Sequence, residues 1–260
     1  MLSKSDLRDI ARLTQKKYRL EMNRFLAEGG RLCEEAIKSG WKVEHVIYCP
    51  SFLQSLRARQ ALQLAQERRV TIDEVPTEVF VSLSDTIHSQ GILAVVEKRA
   101  PDSDPVERVR QAPRCLWVGI EKLHDPGNMG TILRTADWLG VDGVIVGKPC
   151  VEVYNPKVVR ASMGAIFHLP IYEIEDFVGL IRRFQNFSTV LYGADQSGDF
   201  SYSILRYAAK RVLLLGDEVD GLSPKVGALL QHRVSIPRRG GGESLNVAIA
   251  AAILLAEMSR

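Results

Sequence analysis

Two glycine motifs that bind nucleotides are absent from this sequence. GxGxxG holds the pyrophosphate of a dinucleotide and GxxxxGK[ST] cradles the phosphates of a nucleoside triphosphate, and neither occurs among the 260 residues. Their absence argues against a nicotinamide-dependent enzyme and against a nucleoside triphosphatase. Glycines instead follow three late strand-like runs, at Gly193, at Gly216 and at 240–242, which predicts a ligand pocket built from loops in the C-terminal half.

Cysteine and histidine patterns typical of metal sites are missing as well. Four cysteines form no CxxC pair, and five histidines include no HExxH. The segment MLSKSDLRDIARLTQKKYRL is charged where a secretory signal needs an apolar core, and no run of eighteen apolar residues occurs. We therefore expect a reduced, cytoplasmic protein that holds no metal and binds no membrane.

Neither sign of charge is in large excess, with 34 Lys and Arg against 31 Asp and Glu. A surface for nucleic acid would therefore have to be a local cluster of cations. Lys4, Arg8, Arg12 and Lys16 recur every four residues and predict a helix with a basic stripe. This spacing alone favours a solvated helix face over a binding surface.

The order of apolar runs divides the chain into three parts. Residues 1–98 alternate helix-like and strand-like segments and predict a small α/β domain. Residues 99–113, RAPDSDPVERVRQAP, contain three prolines and dense charge and predict a linker. Residues 114–260 alternate short apolar strands with helices, which predicts a mostly parallel sheet with a ligand site beyond the carboxyl ends of its strands.

Three segments of the C-terminal part carry a resemblance to a known family. DPGNMGTILRTADWLG, LLLGDEVDGLS and IPRRGGGESLNVAIAAAILLAE resemble, in this order, the three motifs of the SpoU/TrmH-type (SPOUT) RNA 2′-O-ribose methyltransferases. The segments KKYRLEMNRFLAEGGRLCEEAI and SQGILAVV resemble the accessory substrate-binding domain of the ribosomal-RNA branch. Together these similarities cover nearly the whole chain.

The resemblance implies a fold, a reaction and partners. It implies an α/β catalytic domain with a trefoil knot, in which the C-terminal segment is tucked through a loop, and a homodimer. The implied reaction transfers a methyl group from S-adenosylmethionine to a ribose 2′-hydroxyl of structured RNA, with ribosomal RNA preferred because of the extra N-terminal domain. A transfer-RNA methyltransferase and a non-catalytic RNA-binding protein that retains the fold stay open as alternatives.

The resemblance also implies roles for individual residues. The implied catalytic residues are Arg134, Asn128, Glu218, Ser244 and Asn246. The implied cofactor-binding residues are Gly193, Gly216, Ile236 and Leu245. Simpler structural roles compete with some of these, since Asn128 and Ser244 are also good N-cap residues and Asn246 would then be a polar residue of a first helical turn.

Two points remain open at this stage. Arg134 could act as a base assisted by an RNA phosphate, or it could stay charged, hold the phosphate and stabilise the developing alkoxide. The second motif carries Val219 and Asp220 where many members have a glycine pair, so the positioning of that loop is in question.

Candidate phosphate contacts are Lys157, Arg160, Arg238 and Arg239.

Overall fold

The computed structural model describes residues 2–260, which form two compact units. The first unit comprises the chain up to Arg99 together with Glu152–His168, and the second comprises Ala100–Val151 and Leu169–Arg260. Among the residues that the structure describes, no helix has the length and apolar character needed to span a membrane.

The helices and strands alternate along the chain. Up to residue 99 they are α1 (Lys4–Arg12), α2 (Lys16–Met22), β1 (Arg24–Glu28), α3 (Gly30–Lys38), β2 (Val43–Tyr48), α4 (Leu56–Glu67), β3 (Thr71–Glu74), α5 (Thr77–Leu83) and β4 (Ile92–Glu97). From residue 100 to 174 they are α6 (Pro105–Gln111), β5 (Cys115–Ile120), α7 (Pro126–Trp138), β6 (Gly143–Gly147), α8 (Pro156–Ser162), a short 3-10 helix (Ala165–Phe167) and β7 (Ile171–Ile174). The remaining elements are α9 (Phe177–Gln185), β8 (Val190–Ala194), β9 (Phe200–Ser201), β10 (Lys210–Leu215), α10 (Pro224–Gly227), β11 (His232–Ser235) and α11 (Val247–Met258).

The second unit contains a seven-stranded sheet of order β7-β6-β5-β10-β8-β11-β9. Each neighbouring pair is parallel. All residues of β5 and β6 are buried, as expected for strands of a parallel sheet that is covered on both faces. This confirms the α/β fold class predicted from the apolar runs, and it places the carboxyl ends of β5, β10, β8 and β11 side by side.

The first unit contains a four-stranded sheet of order β1-β4-β2-β3, in which β4 is antiparallel to both of its neighbours. The segment that follows β6 in sequence completes this unit. Its Tyr154 and Phe167 pack on Phe25 of β1, with ring centroids 4.9 and 6.0 Å away. Glu152 of the same segment is buried against Arg19 of α2, at 2.5 Å between Oε2 and Nη2.

Two features differ from the predicted three-part division. The segment 99–113, predicted as a linker, contains α6, which Asp104 caps by accepting bonds from the amides of Val106 and Glu107. Val106 and Val109 of this helix are buried in the core of the second unit. The segment Glu152–His168, predicted as part of 114–260, lies with the first unit, so the predicted domain limits stay a prediction.

Candidate functional site

A cleft of about 690 Å³ opens beyond the carboxyl ends of β8, β10 and β11. Four stretches line it: 194–197, 215–222, the positions Arg233, Val234 and Ile236, and 244–247 with Ala250 and Leu254. These stretches meet because parallel neighbours deliver their following loops to one edge of the sheet. The cleft volume lies within the range of about 300–1,000 Å³ that is typical of small-molecule sites.

The wall after β10 is an acidic turn, which we define as residues 217–221. The backbone of Asp217 exchanges two hydrogen bonds with that of Gly221, at 2.9 and 3.0 Å, and the Oδ1 atom of Asp217 accepts from the amides of Val219 and Asp220. The turn folds back onto Gly216, where an added Cβ would lie 2.2 Å from the carbonyl of Gly221. Gly216 is therefore required by the turn itself.

A line of side-chain hydrogen bonds joins the three motif segments. The Asn246 amide donates to the Oδ1 atom of Asn128 at 2.9 Å, and the Asn128 amide donates to Oε1 of Glu218. Asn128 lies in the first turn of α7, Glu218 in the acidic turn and Asn246 at the start of α11. Three residues that the sequence proposed for one site are thus brought together.

The helix caps at this site differ from the structural roles considered above. Asp125 is the N-cap of α7, because its side chain accepts a hydrogen bond from the backbone amide of Asn128 at 2.7 Å. The interpretation of Asn128 as the cap is therefore wrong. Asn246 is the N-cap of α11 and accepts from the amides of Ala248 and Ile249, so Ser244 is not the cap either. The side chain of Asn246 thus has two roles: its NH₂ group donates to Asn128, and its Oδ1 atom caps the first turn of α11.

The other predicted site residues occupy different surroundings. Ser244, Leu245 and Ile236 line the cleft, and the Leu245 side chain is about half exposed. Gly193 lies in β8, one residue before the cleft lining, where an added Cβ would meet the Cδ1 atom of Leu230 at 2.4 Å. The packing of Leu230 explains this glycine, and 194–197 form the nearby wall instead.

Arg134 lies on the exposed surface of α7, two turns after the start of the helix. It is not among the residues that line the cleft. Within the described part of the chain, no hydrogen bond or ion pair holds its guanidinium, which is therefore available to an external anion.

The candidate phosphate contacts are divided between the units. Arg160 and Lys157 belong to the first unit, where Arg160 forms an ion pair with Asp85 at 3.0 Å. Arg238 and Arg239 are exposed in the second unit, where Arg238 donates to the carbonyl of Gly242 at 3.1 Å. Cβ atoms added at 240–242 would meet nothing within 4 Å, so these glycines are not explained by crowding.

Sequence reasoning missed the charged residues beside the cleft. The Nζ atom of Lys122 lies 3.3 Å from carboxylate oxygens of both Asp217 and Asp220. Asp195, at the end of the strand β8, accepts from Ser197 and pairs with Arg233 at 2.9 Å. A carboxylate or lysine directly after a parallel strand is the signal that could have identified them.

These pairs shift the pKa values of their members. Amide donors of Val219 and Asp220, and after them the Lys122 ammonium, hold the pKa of Asp217 below its ordinary value. Bonds to Asp217 and then to Asp220 raise the pKa of Lys122. Burial alone would raise the pKa of Asp195, but the bonds from Ser197 and Arg233 outweigh it and lower the value. Asp217, Asp195 and Lys122 are therefore all charged at neutral pH.

Two family models match this chain. Residues 116–256 match the SpoU rRNA Methylase family, and residues 4–94 match the MRM3-like substrate binding domain. The first match covers the seven-stranded sheet and all three motif segments. The second covers most of the four-stranded unit.

Individual relatives extend over nearly the whole chain. A 23S rRNA (uridine(2479)-2′-O)-methyltransferase of Streptomyces viridochromogenes is 33% identical and covers 96% of this chain and 87% of its own length. The 23S rRNA (guanosine(2553)-2′-O)-methyltransferase RlmP of Bacillus subtilis is 28% identical and covers 96% and 94%. The crystal structure of an AdoMet-bound rRNA methyltransferase from Sinorhizobium meliloti superposes with a TM-score of 0.81, at 30% identity over 99% of this chain and 95% of that one. The resemblance stated from the three motifs is confirmed, and the chain belongs to the SpoU rRNA methylase family.

Proposed function

We propose that the protein transfers a methyl group from S-adenosylmethionine to a ribose 2′-hydroxyl in ribosomal RNA. The observation that carries this proposal is the line Asn246–Asn128–Glu218, which joins all three family motifs beside the cleft. The reaction and the substrate class are supported by two relatives whose names specify 2′-O-methylation of 23S rRNA. Those relatives modify a uridine and a guanosine, so family membership leaves the target nucleotide open.

The cleft suits the proposed cofactor in size and in chemistry. Ile236 and Leu245 offer apolar walls to a planar base, and the wall formed by Gly216 and the acidic turn offers backbone groups. When bound, S-adenosylmethionine supplies an electrophilic methyl group on a positively charged sulfur. Gly193 lies one residue outside the lining and would not contact the cofactor. Its missing side chain leaves space for Leu230, which packs behind the cleft wall.

The residues around the cleft divide the remaining work. A ribose hydroxyl is a weak nucleophile near neutral pH, so its proton must be shared or removed and its oxygen must be oriented. The unpartnered guanidinium of Arg134 suits it to hold an RNA phosphate and to stabilise charge that develops on the 2′-oxygen. Asn128, fixed between Glu218 and Asn246, would orient the hydroxyl or Arg134, and Ser244 would add a hydroxyl at the cleft wall.

Further parts of the proposal concern RNA binding and assembly. The first unit would bind RNA, since it matches a substrate-binding family model. A homodimer is supported by Trp138 on α7 and Ile249 on α11, which are 88% and 48% exposed although both are large and apolar. A trefoil knot in the catalytic domain is proposed from membership of the SpoU rRNA methylase family. The substrate class also supports the predicted cytoplasmic location.

The test is methyl transfer to RNA that lacks the modification. Labelled S-adenosylmethionine is incubated with the protein and, in separate reactions, with ribosomal RNA, ribosomal particles and transfer RNA from a strain without the corresponding enzyme. The proposal requires label in RNA and a 2′-O-methylnucleoside after nuclease digestion. A methylated base, or label confined to transfer RNA, would contradict it.

A further inference from the structure

The acidic turn concentrates negative charge at one wall of the cleft. Three of its five residues are Asp217, Glu218 and Asp220. The Oδ2 atoms of Asp217 and Asp220 each lie 3.3 Å from one ammonium, so these two carboxylates are close to each other. Like charges at such separation repel unless a cation lies between them.

Lys122 is that cation, and it comes from the loop between β5 and α7. It follows β5, the strand that pairs with β10 in parallel, with Leu215 opposite Ile120. Glu121, the preceding residue, accepts from the amide of Ser223 at 2.8 Å. Lys122 therefore contacts the acidic turn itself, and Glu121 fixes the chain two residues after the turn ends.

We refer to the contacts of Lys122 with Asp217 and Asp220 as the clamp. Asp220 adds a third negative charge to the turn, and its side chain is 74% exposed, against 12% for that of Asp217. Val219 is 90% exposed and lines the cleft. Three carboxylates within five residues repel one another, so the turn needs a counter-charge.

We propose that Lys122 is a positioning residue, which holds the acidic turn in the conformation that binds the methyl donor by neutralising Asp217 and Asp220. This inference rests on the proposed function, because it assigns the cleft to S-adenosylmethionine. Lys122 acts through the turn and touches no reacting atom. Its loss lowers the fraction of protein with a formed cleft wall, and the apparent dissociation constant rises by the inverse of that fraction.

The first test measures S-adenosylmethionine binding by calorimetry in the absence of RNA. Lys122→Met is expected to raise Kd about tenfold, in line with the loss of two partly exposed ion pairs and the exposure of a repulsive pair. Lys122→Arg, which keeps the charge, is expected to stay within about threefold of wild type. Lys148→Met is the matched control, since Lys148 directly follows the strand β6 and pairs only with Glu175 at the surface.

The second test separates charge neutralisation from a general loss of structure. Asp220→Asn alone removes one ion pair and is expected to change Kd about threefold or less. In the Lys122→Met background the same substitution removes the repulsion, so the double variant is expected to bind more tightly than Lys122→Met. Additive losses in the double variant, or tighter binding by Lys122→Met itself, would overturn the inference.

The third test needs no ligand, so it separates failure of this inference from failure of the proposed function. Hydrogen exchange of the ligand-free protein is expected to be faster at the amides of Val219, Asp220 and Gly221 in Lys122→Met than in Lys148→Met, and unchanged in the strands. A wild-type protein that binds no S-adenosylmethionine would contradict the proposed function. Unchanged exchange in the turn would contradict the clamp whether or not the cofactor binds.

In turnover, a positioning role predicts a split between the two kinetic constants. With saturating S-adenosylmethionine, Lys122→Met is expected to keep kcat within about threefold while KM for the cofactor rises with Kd. The hydrogen bond between Asn128 and Glu218 does not involve Lys122, so the proposed catalytic residues keep this bond in the variant. A fall in kcat with unchanged cofactor Kd would instead place Lys122 at the RNA and overturn the assignment.

Discussion

The side-chain amide of Asn246 donates a hydrogen bond to the Oδ1 atom of Asn128 at 2.9 Å, across 118 residues of sequence. The same Asn128 donates to Glu218, so one asparagine side chain is hydrogen-bonded to residues of both later motifs. An asparagine suits this place because its amide carries a donor and an acceptor on one rigid plane. Neither an aspartate nor a leucine of similar size could make both bonds.

Asn128→Asp tests whether this line of bonds matters for transfer. The change replaces the donated bond to Glu218 by two facing carboxylates, which repel each other. We expect kcat to fall about 100-fold, as for loss of a positioned donor in other active sites. Cofactor Kd is also expected to rise, because the repelled Glu218 belongs to the cleft wall. Asn186→Asp, at the exposed end of α9, is the matched control, and equal activity of the two variants would contradict the prediction.

Arg134→Ala is expected to abolish methyl transfer without unfolding the protein. The side chain is exposed and has no partner among the described residues, so its removal should change the free energy of unfolding by about 0.5 kcal/mol or less. Arg134→Lys should also lose most activity, since an ammonium lacks the planar fork that binds a phosphate in two places.

The measurement for Arg134 combines three quantities for each variant. Label transfer to RNA should disappear, whereas cofactor Kd and the thermal midpoint should match those of wild type. Arg182→Ala, another exposed arginine on a helix of the same unit, serves as control. Full transfer activity of Arg134→Ala would show that other residues carry out the transfer.

Much of the fold could be predicted from the sequence because local patterns determine it. Fully apolar runs such as CLWVGI and GVIVG read directly as buried strands of a parallel sheet. The resemblance to the family motifs then predicted that Glu218 and Asn246 belong to one site with Asn128. The cap assignments failed because Asp125 and Asn128, and likewise Ser244 and Asn246, are all capping residue types a few positions apart, and propensity cannot choose between them.

What could not be predicted depends on contacts between distant residues. Nothing local in VEVYNPKVVRAS indicates that Glu152 will bury its carboxylate against Arg19, which is 133 residues away. Two valines, Val106 and Val109, were too few to reveal α6 within a proline-rich segment. The clamp of Lys122 likewise appears only when parallel pairing brings the ends of β5 and β10 together.

The acidic turn also predicts how Asp217 titrates. Its pKa lies below the ordinary 3.8, owing first to the amides of Val219 and Asp220 and then to Lys122. A lowered pKa in the folded state means that the ionised form stabilises the turn above pH 3.8, and that this contribution is lost as pH falls further. Lys122 has a raised pKa, so its contribution is complete below pH 10.5 and is lost only above it.

Carboxyl carbon shifts followed by NMR can check this titration in the ligand-free protein. Lys122→Met is expected to raise the Asp217 midpoint while leaving it below 3.8, because the amide bonds remain. The midpoint of Asp195, whose carboxylate pairs with Arg233, should not move and serves as the internal control. A wild-type Asp217 midpoint above 3.8 would contradict the described bonds.

The proposed homodimer can be tested at its exposed apolar face. Ile249→Asp places a charge on the exposed surface of α11, the helix that packs on α7. If two copies bury this face, the variant should have half the wild-type molar mass in light scattering or sedimentation. Ile204→Asp, at another exposed isoleucine, should leave the mass unchanged, and a wild-type mass of about 29 kDa would contradict the dimer.

The last prediction concerns the buried pair of Arg19 and Glu152 in the first unit. Both side chains are 3% exposed or less, and Arg19 also donates to the carbonyl of Leu13 at 2.7 Å. Glu152→Gln leaves the guanidinium buried without its counter-charge, which typically costs about 3–5 kcal/mol. Lys98, 3.7 Å from Glu152, loses a partner at the same time.

Urea unfolding followed by the fluorescence of Trp41, which lies in the same unit, measures this cost. Glu21→Gln removes the exposed pair with Lys17 and should change the free energy of unfolding by about 0.5 kcal/mol or less. Replacing both buried partners, as in Arg19→Met with Glu152→Leu, should cost less than Glu152→Gln alone, because the guanidinium is then absent and only Lys98 has lost its partner. A larger loss in the double variant than in Glu152→Gln would show that the ion pair stabilises the fold by more than the removal of both charges recovers. A small loss in Glu152→Gln would mean that water or the glutamine amide solvates the buried guanidinium.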